Sequence, residues 1–354
     1  MFENADRTEI EQLGEFGLIE QLTKHFSNVQ PSSLRGVGDD AAVLKFGTHN
    51  ILVSTDSLIE GVHFDLTYTP LKHLGYKAIA SSVSDIAAMN GMPSQVLVSI
   101  GLSNRFSLEA IEELYVGMKL ACEKYKIDLV GGDTSSSRSG LFLNVTAIGK
   151  VEPKKITYRD GAKPGDLLVV SGDLGGAYMG LQILEREKRV FMEHSDMQPD
   201  LEAYDYIVGR QLKPEARIDI IEALTELDIV PTSMMDISDG VASELYHLGN
   251  ASQVGFELYE SKLPIDPQTV QTATSFSLNP SIVALNGGED YELIFTIKQE
   301  DYDKIKGQMD FTVIGHATES VGKYKLNTES GNSFDVKAQG WQHFTQENYN
   351  VQNT

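Results

Sequence analysis

The stretch SMMDISDGVASELYHLGN, residues 233–250, changes character midway: an apolar, strand-like start passes through an acidic turn into a helix around ASELYHLGN. Asp236 and Asp239 stand three residues apart where the strand yields to the helix, and Gly240 permits close backbone approach there. A helix start offers free amide N–H groups and a favourable dipole to phosphate oxygens, so Ser238 is placed to contact a nucleotide. A plain N-cap is the competing reading of either aspartate.

The same alternation extends outward from this stretch. LLVVSG (167–172), YELIFTI (291–297) and FTVIG (311–315) read as strands, with a helix at ARIDIIEALTEL (216–227). In the first half, ILVSTDS (51–57), VLVSIGL (96–102) and LFLNVTAIG (141–149) read as strands. Helices are expected near 71–91, closing at Gly91, and from the N-cap Ser107 with Leu108, Ile111, Tyr115, Met118 and Cys122 on the apolar face. Before them, Leu13, Phe16, Leu18, Ile19, Leu22 and Phe26 fall at helical spacing. KVEPKKITYRDGAKPGD (150–166), rich in Lys, Pro and Gly, reads as a boundary, giving domains at 1–150 and 151–354. A chain of 354 residues exceeds one usual core, so a two-domain α/β protein of α+β type is predicted.

Charge narrows the function. Against 29 basic residues stand 51 acidic ones, a formal net charge of −22, which repels nucleic acid and anionic membranes. A polyphosphate remains a suitable ligand if divalent cations lie between it and the carboxylates. Cys122 is the only cysteine, so no intrachain disulfide forms; it reads as a core thiol and points to a reducing compartment. The start, MFENADRTEIEQ, lacks the apolar segment of a secretory signal, and no apolar run reaches membrane-spanning length, so a cytoplasmic location is expected. GVGDDA fits a loose dinucleotide-binding pattern, but strand rather than helix follows it. Neither a P-loop nor protein-kinase signatures occur.

Acidic residues recur in GVGDDAAVL (36–44), STDSLIEGVHF (54–64), VSDIAAM (83–89), VGGDTSSS (130–137), MDISDGVASEL (235–245) and NGGEDYELIF (286–295), which read as Gly-rich or strand-end turns. Each alone is readable as a turn former. Together and in this order, with LGEFGLI, RDGAKPGD, LKPEARI and the terminal GWQHF, they resemble the ATP-dependent enzymes related to aminoimidazole ribonucleotide synthetase. Within that group they are most similar to the thiamine-monophosphate kinase family, from about Leu13 to Phe344.

The resemblance implies an aminoimidazole ribonucleotide synthetase-like fold, a homodimer formed through the N-terminal sheet, and transfer of the ATP γ-phosphoryl group to thiamine monophosphate with several Mg²⁺ ions. It assigns metal binding to Asp40, Ser54, Thr55, Asp56, Asp85, Asp133, Asp236 and Asp239, with Asp56, Asp236 and Asp239 as the catalytic set. Residues alone do not choose between Asp39 and Asp40. ATP contacts fall on Tyr115, Gly132, Asp133, Arg159 and Ser238, although Tyr115 also reads as a core aromatic. Substrate contacts fall on His63, Glu289 and Trp341: Glu289 suits an aminopyrimidine, and Trp341 suits a cationic heterocycle or else anchors the tail. A selenophosphate synthetase is disfavoured by the missing N-terminal cysteine. A non-catalytic nucleotide-binding module is disfavoured by the intact acidic motifs.

Overall fold

The computed structural model describes residues 13–25, 28–194, 198–308 and 310–339. After helix α1 (Gly14–Thr23) comes a six-stranded sheet of β1 (Ser33–Arg35), β2 (Ala42–Phe46), β3 (His49–Ile59), β4 (Met92–Leu102), β5 (Asp128–Ser136) and β6 (Phe142–Val151). Its order is β1-β2-β3-β6-β4-β5, and only the β4–β5 pair is parallel. Along β3, Asn50, Leu52, Ser54 and Leu58 turn to a buried face while Thr55, Ser57 and Ile59 stay exposed. That period of two marks a sheet covered on one side.

The cover is α2 (Leu71–Ala88) and α3 (Leu108–Tyr125). Ser107 caps α3 through its side chain, as expected, by accepting from the Ala110 N–H. The two helices touch backbone to backbone. A Cβ on Gly75 would lie 1.9 Å from the Leu114 carbonyl oxygen, and one on Gly117 would lie 1.8 Å from that of Lys72. Any larger residue at this crossing drives α2 away from α3, and α2 carries Asp85.

The second sheet contains β7 (Leu167–Ser171), β8 (Ser233–Asp236), β9 (Gly255–Tyr259), β10 (Leu293–Ile297), β11 (Phe311–Thr318), β12 (Tyr324–Asn327) and β13 (Ser333–Asp335). Its order is β13-β12-β9-β11-β7-β10-β8, antiparallel except for β12 beside β9. Around it lie α4 (Gly176–Glu193), α5 (Asp205–Leu212), α6 (Ile218–Glu226), α7 (Val241–Ser252), α8 (Pro267–Ser275), α9 (Pro280–Asn286) and α10 (Tyr302–Ile305).

The inner strands of this sheet are buried on both faces, which is why they read as continuous apolar runs. Val169, Met234, Leu293 and Phe295 join one core with α2 and the first sheet, whereas Leu168, Val170, Met235 and Ile294 join another under α7. The two domains therefore share a core across their seam. The acidic C-terminal end of β8 lies at that seam.

Two sequence readings differ from the structure. VGGDTSSS is not a turn: residues 128–136 form the nine-residue edge strand β5, held by parallel pairing to β4. Cys122 is half-buried rather than enclosed, at the margin of the N-terminal core.

Candidate active site

Three strands and one helix deliver carboxylates to one place. Asp236 ends β8, Asp85 lies on the last turn of α2, and Asp40 precedes β2. One oxygen from each of the three lies within 4.8 Å of the others. Asp56, from the buried side of β3, joins them in the same cleft with Ser54, Thr55, Ser238 and Asp239.

Hydroxyls and one arginine set these carboxylates. Ser54 donates to Asp85, and Ser84 donates to Asp236 Oδ2 at 2.6 Å. Arg159 grips Asp40 with two bonds, Nε to Oδ2 at 3.0 Å and Nη2 to Oδ1 at 2.8 Å. Asp39 points elsewhere: it accepts the Arg159 backbone N–H at 3.0 Å and pairs with Arg35 at 2.7 Å. Only Asp40 of the adjacent pair belongs to the cluster.

Burial makes the grouping costly in its ionised form. Burial pushes Asp56 up to about 6, opposed by a hydrogen bond from Ser82 and reinforced by the charge of Asp40. Asp236 is pushed up to about 7 by burial and then by Asp40. Asp85 is raised well above the usual carboxylate range by burial, with Asp56, Asp236 and Asp40 adding repulsion. Such a set is stabilised by protons or by a cation with oxygen preference.

The turn after β8 is braced from two sides. Glu244, on the first turn of α7, reaches back so that its Oε1 accepts the N–H groups of Ser238 and Asp239 at 3.0 and 2.9 Å. On the other side Glu289 N–H donates to Ser238 O at 2.7 Å and Tyr291 N–H to Ile237 O at 2.9 Å. Gly240, at φ +112°, lets these loops touch; a Cβ there would lie 2.9 Å from the Asn286 carbonyl carbon. The residues of MDISDG and NGGED thus form one wall.

The cleft holds about 1990 Å³. That exceeds the roughly 300–1,000 Å³ of a single small-ligand pocket, so the cleft has volume for more than one small ligand. Away from the acidic centre its lining includes His63, Tyr68, Lys77, Gln211 and Glu289. His63 is fixed through Nδ1, which accepts the Ile59 N–H at 3.0 Å. Glu289 is already engaged: Oε1 pairs with Lys77 at 2.8 Å and Oε2 accepts from Gln211 Nε2 at 2.6 Å.

Not every expected site residue lies here. Gly132 and Asp133 sit in the exposed edge strand β5, and Tyr115 packs half-buried against the N-terminal core. None of these three lines the cleft. Trp341 falls outside the described residues. Conversely, Lys77, Gln211 and Glu244 were not singled out in the sequence. The only local signal was that Lys77, Ser81 and Asp85 recur every four residues, which puts them on one helical face.

Residues 38–151 match the family model of the AIR synthase related protein, N-terminal domain, and residues 163–325 match that of its C-terminal domain. The thiamine-monophosphate kinase of Aquifex aeolicus (strain VF5) is 35% identical over 335 residues, 95% of this chain and 99% of the relative. That of Bacillus subtilis (strain 168) is 34% identical over 344 residues, 94% of this chain and 100% of the relative. The solved structure of AaThiL complexed with AMPPCP and TMP aligns with a TM-score of 0.81 at 34% identity, covering 96% of this chain and 100% of that one. Both domains, in order and nearly end to end, are accounted for by these relatives, and the chain belongs to the thiamine-monophosphate kinase family.

Proposed function

We propose that the chain transfers the γ-phosphoryl group of ATP to thiamine monophosphate, giving thiamine diphosphate and ADP. The observation that carries this reading is the convergence of Asp40, Asp85 and Asp236 in a cleft that Glu289 also lines, in a chain of this family. AaThiL, similar along almost its whole length, was solved with AMPPCP and TMP, a nucleotide analogue together with an acceptor.

The donor set fits Mg²⁺. The clustered ligands are carboxylate oxygens, they are buried, and their mutual repulsion calls for positive charge. Asp40, Asp85 and Asp236 would hold the ions, with Asp56, Asp239, Ser54 and Thr55 alongside; when bound, the ions neutralise and orient the phosphates. Arg159, at the edge of this centre, and the Ser238 side chain suit the nucleotide, the Ser238 amide itself being taken by Glu244. The accepting phosphate monoester has a second pKa of about 6, so its oxygen is already anionic at neutral pH. No side chain needs to remove a proton, and the work of the protein is alignment for direct in-line transfer.

We also assign a homodimer. Among the described residues the first sheet leaves one face uncovered, with the paired Ile59 and Phe142 at 39% and 36% exposure. Register places Asp133 in one row with Ser99, Asn144 and Ser57 on that face. Three strand spacings separate it from β3, about 14 Å. A second copy laid on this face brings its own Asp133 toward the partner's cleft. A cytoplasmic location completes the reading, supported by the single cysteine.

The test is incubation with ATP, Mg²⁺ and thiamine monophosphate, followed by separation of the thiamine species. Thiamine diphosphate appearing in step with ADP is the expected result. ADP without that product overturns the acceptor assignment.

A further inference from the structure

We infer that Lys77 and Gln211 are positioning residues that hold Glu289 as the acceptor for the amino group of the aminopyrimidine, and that they thereby set which heterocycle the cleft admits. The inference rests on thiamine monophosphate being the acceptor substrate.

Lys77 projects from α2 in the first domain, and its side chain is only 3% exposed. A lysine is rarely buried to this degree unless it is paired. Its ammonium is held by two partners from the second domain: Glu289 Oε1 at 2.8 Å and the Gln211 backbone carbonyl at 3.3 Å. Gln211, near the end of α5, closes the triangle by donating from Nε2 to Glu289 Oε2 at 2.6 Å. Each carboxylate oxygen is therefore fixed by one donor, and the plane of the group is fixed with them. Glu289 itself stays 27% exposed and lines the cleft, so lone pairs remain for a ligand.

Two features are poor choices for stability alone. Gln211 is 6% exposed and, among the described residues, its buried Oε1 finds no hydrogen-bond partner, an orphan acceptor. Turning the amide over would satisfy nothing, because Oε1 would then face the Glu289 carboxylate. Glu289 also carries a left-handed backbone, φ +63°, which disfavours a non-glycine residue. Strain and an unmet acceptor concentrated around one exposed carboxylate indicate a recognition group held in place.

The placement suits the ligand. Lys77, Ser81 and Asp85 all line the cleft from one face of α2. The eight residue steps from Lys77 to Asp85 span about 12 Å along the helix axis. One end of that column is the acidic centre for phosphate chemistry; the other is the Lys77–Glu289–Gln211 triangle. A carboxylate accepts from the exocyclic amino group of an aminopyrimidine but repels the carbonyl oxygen of the 4-oxo counterpart, so orientation of Glu289 becomes discrimination between them.

Steady-state kinetics with thiamine monophosphate and with its 4-oxo counterpart tests this. For wild type, the ratio of the two kcat/KM values gives the amino preference. In Lys77→Met and in Gln211→Met we expect KM for thiamine monophosphate to rise roughly tenfold, with the amino preference falling by a similar factor. Lys77→Arg, which keeps the charge, should recover part of both. Gln211→Met leaves the Lys77–Glu289 pair in place and decides the matter if Lys77→Met does not fold. An amino preference equal to wild type in the folded variants overturns the inference. Wild-type protein that does not phosphorylate thiamine monophosphate fails the parent reading instead, so the two failures are separate.

Discussion

The Ser84 hydroxyl, on α2 of the first domain, donates a 2.6 Å hydrogen bond to Asp236 Oδ2 at the end of β8 in the second, and both residues are buried. The bond ties the two domains together through the acidic centre. Replacing Ser84 with Ala leaves that carboxylate oxygen without its donor, at a cost of about 1–2 kcal/mol. Urea unfolding should report this loss, and a Mg²⁺ titration of activity should shift to higher concentration. An unchanged Mg²⁺ dependence would show that Ser84 serves stability only.

The raised carboxylates make a prediction about pH. Asp56 and Asp236 sit near 6 and 7 in the folded protein, against an ordinary value of 3.8. Between those values the folded state holds protons that the unfolded chain has released. Their contribution to stability is thus present at low pH and lost as pH rises through the folded values. His73 and His247 are shifted down, chiefly by burial, and act in the opposite sense, so the contrast to measure is wild type against Asp236→Asn. In EDTA, wild type should lose about 1–2 kcal/mol more than the variant between pH 5.5 and pH 7.5. Added Mg²⁺ should remove much of that loss.

Glu244 is expected to behave as a brace. It is buried, and burial followed by the charge of Asp239 raises its carboxyl well above the usual range. Glu244→Ala strands the Ser238 and Asp239 amides and should cost about 2–3 kcal/mol, with at least a tenfold drop in turnover. Glu244→Gln keeps an acceptor oxygen for both amides and should lie much closer to wild type. Thermal unfolding and kcat on the pair distinguish a positional role from simple bulk.

Subunit mixing addresses the distance of Asp133 from the cleft. Asp133→Asn and Asp236→Asn should each be nearly inactive. Unfolded and refolded together in equal amounts, random pairing gives heterodimers with one intact site, and about a quarter of wild-type activity should return. No recovery would place Asp133 in its own chain's site or outside the chemistry altogether.

Much of this arrangement was legible in the chain. Strands such as ILVSTDS and LFLNVTAIG emerged near their expected positions because alternation and apolar runs are local properties. The Asp236–Asp239 turn was legible for the same reason: strand, acidic turn and helix follow one another without interruption. VGGDTSSS was misread because paired glycines and small polar residues weaken intrinsic strand preference, whereas its pairing comes from β4, a partner about thirty residues away. Lys77 was overlooked because a lysine on a helix ordinarily faces water. Its burial depends on α5 packing near α2, and α5, DYIVGRQL with a central glycine, carries too weak a pattern to be anticipated. The aminopyrimidine role of Glu289 could be read from resemblance, but its two fixed partners could not.

The double burial of β7, β8 and β10 bears on how a substrate gets in. Strands that are wedged between two apolar masses cannot act as the pin of a clamshell, because opening one side would bare Val169, Met234 and Phe295 to water. Rigid-body swinging of the lobes would therefore cost the burial of that shared core. The less costly way in is at the rim of the cleft, past the Lys188–Asp65 ion pair and Tyr68, which lie outside that shared core.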